Sequence, residues 1–141
     1  SGGLYCDKIA ELVGIDIISA GYQLRYGKGE YFIVNSSKRH QIERLIYPIP
    51  KGTITGIHII LNLEGRMRIG PDTSYIKNID YSFDETQKEV FYHSAKKFFP
   101  CLELDDLEPE STGIRAKLQG PGEPFRDFII TDEKERGLPG F

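Results

Sequence analysis

Three groups of polar residues sit in strand-like surroundings, where they could do chemistry. His58 lies inside the apolar run 57–61. Imidazole is the side chain best matched to moving a proton near neutral pH, although a lone histidine in such a run is more often a hydrogen-bonded sheet residue. Arg115 and Lys117 alternate within residues 112–118, which puts both cations on one face of a strand and Ile114 and Leu118 on the other. Two cations on one sheet face are commonly just solvated. They could instead hold a carboxylate, for which the planar guanidinium is the best fork. Lys28-Gly29-Glu30-Tyr31 reads as a loop entering a strand and by itself implies no reaction.

Other chemistries lack their residues. His40, His58 and His93 are isolated, with no H-x-x-x-H or H-E-x-x-H spacing, so no metal site is expected. No G-x-S-x-G or Cys-His signature marks a nucleophile. No G-x-G-x-x-G occurs, and Gly120 and Gly122 lack the helix that would place a phosphate on its dipole. The two cysteines, Cys6 and Cys101, form neither a C-x-x-C pair nor a disulfide framework. A reducing, cytoplasmic location is the simplest reading of that usage. The net charge of -3 gives no electrostatic reason for nucleic acid or an anionic membrane as partner. The short cluster Lys38, Arg39 and Arg44 reads as solvated surface. No apolar run of about 18 residues occurs, so no bilayer-spanning helix is expected.

The elements that must position these side chains follow from periodicity. Residues 3–13 read as a helix with Tyr5, Ile9, Leu12 and Val13 on one face and Gly14 as its cap. Residues 22–34 favour strand, with Gly27 and Gly29 marking a bend or a close approach by another group. Residues 35–41 read as a loop and 42–47 as β-prone. Residues 54–61 form the strongest strand, which turns at 62–65 into the alternating segment 66–69 as a hairpin. Residues 84–99 are the best helix. Asp84 and Gln87 are spaced as a capping box, Phe91, Ala95, Phe98 and Leu102 share a face, and Pro100 is the stop. Residues 111–119 and 125–131 read as two further strands joined by a Gly/Pro-rich loop. With 141 residues, 39% hydrophobic and 28% charged, the chain is one ordinary domain. The element order gives an α+β fold with an antiparallel or mixed sheet and helices on one side.

Ordered matches along the chain then carry a resemblance. They run from Lys28-Gly29-Glu30-Tyr31-Phe32 through Leu45-Ile46-Tyr47-Pro48-Ile49-Pro50 and Gly56-Ile57-His58 to Gly70-Pro71-Asp72 and Phe99-Pro100. They continue through Gly113-Ile114-Arg115-Ala116-Lys117 and Gly120-Pro121-Gly122-Glu123. Together these segments resemble the middle of the D-amino-acid-oxidase-like FAD-dependent oxidoreductases, in particular the L-2-hydroxyglutarate oxidase/dehydrogenase branch. Some relatives with a similar Gly-Pro-Asp-Thr-Ser-Tyr segment act on glycerol 3-phosphate.

The resemblance implies a substrate-binding (cap) domain, residues 1–141, whose sheet roofs a flavin. It implies short FAD-domain junctions at both ends, with the FAD-binding domain itself outside the chain. FAD is then the cofactor of the parent protein and is not expected on this chain alone, because the groups that cradle its pyrophosphate are missing. Arg115 matches the family arginine that holds a substrate carboxylate, and Lys117 is a second cation for a distal one. His58 would take the hydroxyl proton. Lys28, Glu30 and Tyr31 would approach the substrate, and Gly2 and Gly3 would lie beside the flavin. The expected partners are a small anionic substrate, the FAD-binding domain and, through an uncovered interface, a second copy. The expected activity is dehydrogenation of a 2-hydroxy acid such as 2-hydroxyglutarate, with the isolated chain inactive. The alternatives are a glycerol-3-phosphate or amino-acid flavoenzyme domain, and a free-standing, non-catalytic anion-binding module. That last reading requires packed ends and a closed pocket, whereas the enzyme reading requires an exposed apolar face.

Overall fold

The computed structural model describes residues 2–49 and 56–141. Its centre is a four-stranded sheet of β1 (Arg25–Val34), β2 (His58–Leu61), β3 (Met67–Ile76) and β4 (Leu107–Lys117), in the order β2-β3-β1-β4. Every pairing is antiparallel, so the sheet is not mixed. Two α-helices accompany it, α1 (Cys6–Leu12) and α2 (Lys88–Lys96).

The core lies between one face of the sheet and α2. Phe32, Ile59, Met67 and Ile69 from the strands meet Phe91, Ala95, Phe99 and Leu102. Phe32 is fully buried and makes edge contacts with Phe91 at 4.9 Å and Phe83 at 5.0 Å between ring centroids. Truncating such a residue typically costs about 3–5 kcal/mol. A smaller cluster, Ala10, Ile15 and Ile17 with Tyr22 and Leu138, joins the α1 segment to the C-terminal end.

Asp7, buried in α1, accepts from the Leu24 backbone N–H at 3.1 Å and so ties the helix to the entry of β1. Glu133 is also buried. It accepts from the Tyr22 hydroxyl at 2.6 Å and pairs with Arg136 at 2.8 Å, pinning the C-terminal segment to the same region.

Several sequence expectations change on contact with the fold. The N-terminal helix divides into a 3-10 turn, Gly3–Tyr5, and then α1. Gly14 follows it at φ +90°, and the Ile15 N–H donates to the Ala10 carbonyl at 3.1 Å. The long helix likewise begins as a 3-10 turn, Glu85–Gln87, and ends at Lys96, short of Pro100. Asp84 caps it by accepting from the Thr86 N–H at 3.0 Å. The expected reciprocal box does not form, because the Gln87 amide reaches the Asp84 carboxylate at 3.2 Å and not its backbone.

Residues 125–131 form no strand. They run along the surface with Phe125, Phe128 and Ile130 exposed, so their apolar side chains meet no second layer in this chain. Within 42–47 only Ile46 bridges to the sheet, at Ile59. The part of the 54–61 expectation at residues 54 and 55 lies outside the described residues.

The hairpin forms as expected, with the Asn62 side chain accepting from Glu64 and Arg66 N–H groups at 3.0 and 2.9 Å. Its second strand continues past residue 69 through Gly70-Pro71 to Ile76. At Gly70, φ is +141° and a Cβ would overlap the Glu30 carbonyl oxygen, so glycine is required there for β3 to pass β1.

Candidate functional site

Gly27 and Gly29 do not break β1. Residues 27, 29 and 31 alternate with 28, 30 and 32, and the second set points toward α2. The first set therefore faces the other side of the sheet, where a cavity of about 560 Å³ opens. The register places Gly27 opposite Arg115 and Gly29 opposite Gly113, with Thr73 on β3 opposite Gly29 from the other side. The floor of the cavity is thus low, open at Gly113 and covered by the Lys117 stem over Gly27 and by Pro71 over Gly29. Tyr31, Tyr47, His58, Arg115 and Lys117 surround it. Four residues singled out in the sequence, His58, Arg115, Lys117 and Tyr31, come together here from three different strands.

His58 is buried at the start of β2, and its Nδ1 lies 3.0 Å from the Gly56 carbonyl oxygen. A carbonyl can only accept, so this contact places the proton of the neutral ring on Nδ1 and leaves a lone pair on Nε2. The ring stacks on Tyr47 with centroids 4.5 Å apart and planes 29° from parallel. Tyr47 is half-exposed, and sequence reasoning assigned it no role. Its only signal was its place between apolar residues just before Pro48.

Arg115 is exposed at the cavity edge and makes no ion pair with any described residue. The aliphatic stem of Lys117 lies across Gly27, and its ammonium sits 5.2 Å from the Tyr75 ring centroid, a cation–π distance. Arg68, also missed in the sequence, stacks its guanidinium 4.6 Å from the Tyr31 ring centroid. It is tethered to Glu110 and, at 2.7 Å, to the Ser111 hydroxyl. Burial pushes the Tyr31 phenol above its ordinary value of 10, while the Arg68 and Arg115 charges pull the other way. Tyr31 is therefore a neutral hydroxyl donor at physiological pH. A low floor open at Gly113, two cations that pair with no carboxylate among the described residues, and two aromatic walls are features that suit a small organic anion.

Lys28 and Glu30 are not in this cavity. Their side chains lie on the opposite face of β1, buried and paired with each other at 3.2 Å. The Lys28 ammonium donates to the Ser82 carbonyl, and Glu30 accepts from the Asp84 N–H at 3.1 Å. The pair staples the start of the α2 segment to the sheet.

Gly2 packs against Ile9 and Cys6, which leaves no room for a Cβ. Gly3, at φ +54° with nothing near its Cβ position, opens instead onto a second, larger groove of about 1350 Å³. That groove shares Thr73, Arg115 and Lys117 with the smaller cavity.

Among the described residues no cluster of His, Cys, Asp and Glu could hold a metal ion, and no helix is long and apolar enough to cross a membrane. Cys6 and Cys101 are both free and exposed.

Comparison with known proteins identifies the family. The sequence profile of the FAD dependent oxidoreductase family matches residues 1–138. The chain belongs to the FAD-dependent oxidoreductase family. It is 34% identical over 125 residues to the mitochondrial L-2-hydroxyglutarate dehydrogenase of Arabidopsis thaliana, covering 82% of this chain and 26% of that protein. It is 25% identical over 166 residues to the L-2-hydroxyglutarate dehydrogenase of Escherichia coli K12, covering 91% of this chain and 38% of that protein. The mitochondrial enzyme of the same name from Caenorhabditis elegans is 24% identical over 165 residues. The chain thus spans between a quarter and two-fifths of the length of these relatives. Two of the three carry mitochondrial names, so the cytoplasmic reading drawn from cysteine usage finds no support in them.

Part of the larger groove would suit a flat ring system such as a flavin. Beside Gly3 it carries the aromatic side chains of Tyr22, Tyr75 and Phe125, together with charged ones such as Asp7, Arg126 and Glu133. The glycine fingerprint that cradles a pyrophosphate is not in the chain.

Proposed function

We propose that this chain is the substrate-binding part of a flavoenzyme that dehydrogenates a small anionic 2-hydroxy acid, with 2-hydroxyglutarate the leading substrate. The observation that carries the reading is the convergence of His58, Arg115, Lys117 and Tyr31 on one glycine-floored cavity next to a larger groove. Two further points support it. The three relatives named above are all L-2-hydroxyglutarate dehydrogenases. The arm at 125–130 also leaves Phe128 90% and Ile130 93% exposed, which fits a face covered by further protein better than a free-standing binding module.

Arg115 grips the substrate carboxylate with its guanidinium fork. Lys117 faces the distal carboxylate, and the neutral Tyr31 hydroxyl donates to whichever anionic oxygen lies near it. FAD, when bound, supplies the hydride acceptor. His58 Nε2 accepts the hydroxyl proton as the C2–H bond breaks, so the carbinol carbon becomes a ketone and the product is a 2-oxo acid. The Gly56 carbonyl holds the Nδ1 proton and stabilises the imidazolium that forms. Gly3 would border the flavin, whereas Gly2, Lys28 and Glu30 serve packing in this reading. The remaining FAD contacts come from sequence outside this chain, and the chain alone is inactive.

The test uses the full-length flavoprotein. Under anaerobic conditions L-2-hydroxyglutarate should bleach the flavin and yield the 2-oxo acid, with glycerol 3-phosphate and amino acids much poorer. Preference for either of those would overturn the substrate assignment. Arg115→Ala should raise KM for a carboxylate substrate strongly, by about 2–4 kcal/mol if the remainder of the full-length protein desolvates the charge pair. His58→Ala should depress kcat. A normal kcat would return His58 to a structural role.

A further inference from the structure

Strand interiors disfavour glycine, because a bare backbone has more freedom to lose and no side chain to pack. Gly27, Gly29, Gly70 and Gly113 nevertheless all lie in strands. Three of them answer to neighbours. A Cβ at Gly27 would stand 3.1 Å from Lys117 Cε, and one at Gly29 would stand 2.9 Å from Pro71 Cβ. Gly70 has the positive φ and the close Glu30 carbonyl described above.

Gly113 has no such reason. It is not among the residues with positive φ, and a Cβ there would meet no atom within 4 Å. Nothing within the described residues requires glycine at this position. The open space lies in the cavity, since Gly113 shares the face of Arg115 and pairs with Gly29 across the ladder.

We infer that Gly113 is a specificity residue, kept bare so that the carbon chain of the bound carboxylate can lie against the sheet between Arg115 and Tyr31. The inference rests on the carboxylate reading of this cavity and extends it to the shape of the ligand. Pro71 fills the space over Gly29 across the ladder, so the open strip runs along β4 over Gly113. Arg115, opposite Gly27, bounds it at one end, and Tyr31, opposite Ser111, bounds it at the other. From residue 111 to 115 is about 13 Å at the usual strand rise, and the Arg115 and Tyr31 side chains fill the ends. What remains admits a short, unbranched chain lying flat. A methyl group at 113 would stand in the middle of that floor.

Gly113→Ala and Gly113→Val, made in the full-length FAD-loaded protein, test this. Three readings are taken: Tm, bound FAD, and the affinity for glutarate, a dicarboxylate with no hydroxyl to oxidise, followed by its perturbation of the flavin absorbance. The expected result is an unchanged or raised Tm for the alanine variant, because Ala suits an ordinary strand better than Gly. FAD content should be unchanged. Glutarate affinity should fall about tenfold with Ala, the scale at which one methylene discriminates ligands in a fitted pocket, and further with Val.

Unchanged glutarate affinity in the valine variant overturns the inference. A lower Tm in the alanine variant overturns it too, by giving the glycine to the fold, and loss of FAD overturns it by giving the bare strand to the cofactor. If the wild type binds glutarate in a Gly113-dependent way but does not oxidise L-2-hydroxyglutarate, the inference stands and the proposed reaction falls. If the wild type binds no dicarboxylate, both fall.

Discussion

The imidazole of His58 lies against the ring of Tyr47, 4.5 Å between centroids, while its Nδ1 is fixed by the Gly56 carbonyl. The ring is therefore held on one face and at one edge, with Nε2 as its remaining polar atom. Tyr47→Phe keeps the stacking surface and should leave kcat of the full-length enzyme near the wild-type value. Tyr47→Ala frees the ring to rotate and should lower kcat about 10–100-fold, the scale of a misplaced general base. Equal kcat for the two variants would show that the stack does not orient His58.

The Lys28–Glu30 pair lies on the far side of β1 from the cavity, so it should govern stability and not affinity. Removing one partner leaves a buried charge half-satisfied and typically costs about 3–5 kcal/mol. Lys28→Met and Glu30→Leu should each lower the denaturation midpoint markedly, and the double variant should lose less than the two summed. Carboxylate binding by whatever fraction remains folded should be unchanged. A selective loss of affinity without loss of stability would put these residues back in the site.

Much of this was legible in the sequence, and the exceptions have physical reasons. The alternation in residues 112–118 placed Arg115 and Lys117 on one face, and β4 keeps them there. The same rule was available at residues 27–31, where it separates Tyr31 from Lys28 and Glu30. Of the two readings of Gly27 and Gly29, the close approach holds, with Lys117 over Gly27 and Pro71 over Gly29, and the bend does not. Weighing a bend there concealed the alternation, because a glycine that admits a neighbour looks the same in sequence as one that bends a strand. Tyr47 and Arg68 were missed since their roles come from pairing across strands that local spacing does not encode. The false strand at 125–131 has strand composition, but no partner strand reaches it among the described residues. Burial, not propensity, decides such a segment.

The turn that leads into α2 carries a pH dependence. The Thr86 hydroxyl and N–H hold the Asp84 carboxyl below its ordinary 3.8, and the Ser82 N–H and hydroxyl do the same for Asp80. Both groups bind protons more weakly in the folded chain than in the unfolded one. Their stabilisation is therefore complete above pH 3.8 and disappears as pH falls through the depressed folded values. Asp84→Ala should lower the denaturation midpoint at neutral pH, and its difference from wild type should shrink steadily below pH 3.8. A difference that stays constant from neutral to strongly acid pH would show that the carboxylate charge does not contribute to the cap.

Tyr31 offers two separable functions, a ring that stacks under Arg68 and a hydroxyl that reaches the cavity. Tyr31→Phe keeps the first and removes the second. Because burial keeps the phenol protonated, the lost interaction is a donated hydrogen bond to an anion, worth about 1.5–3 kcal/mol. The full-length Phe variant should lose that much in kcat/KM while its Tm changes little, because the stacked ring is retained. Tyr31→Leu removes the ring as well, so Arg68 loses its stacking partner and Tm should fall alongside affinity. The wild-type affinity for a carboxylate should not weaken until pH passes 10, since the raised phenol keeps its proton to beyond that point. A break in binding near pH 8 or 9 would mean that another group, not Tyr31, supplies the proton to the bound anion.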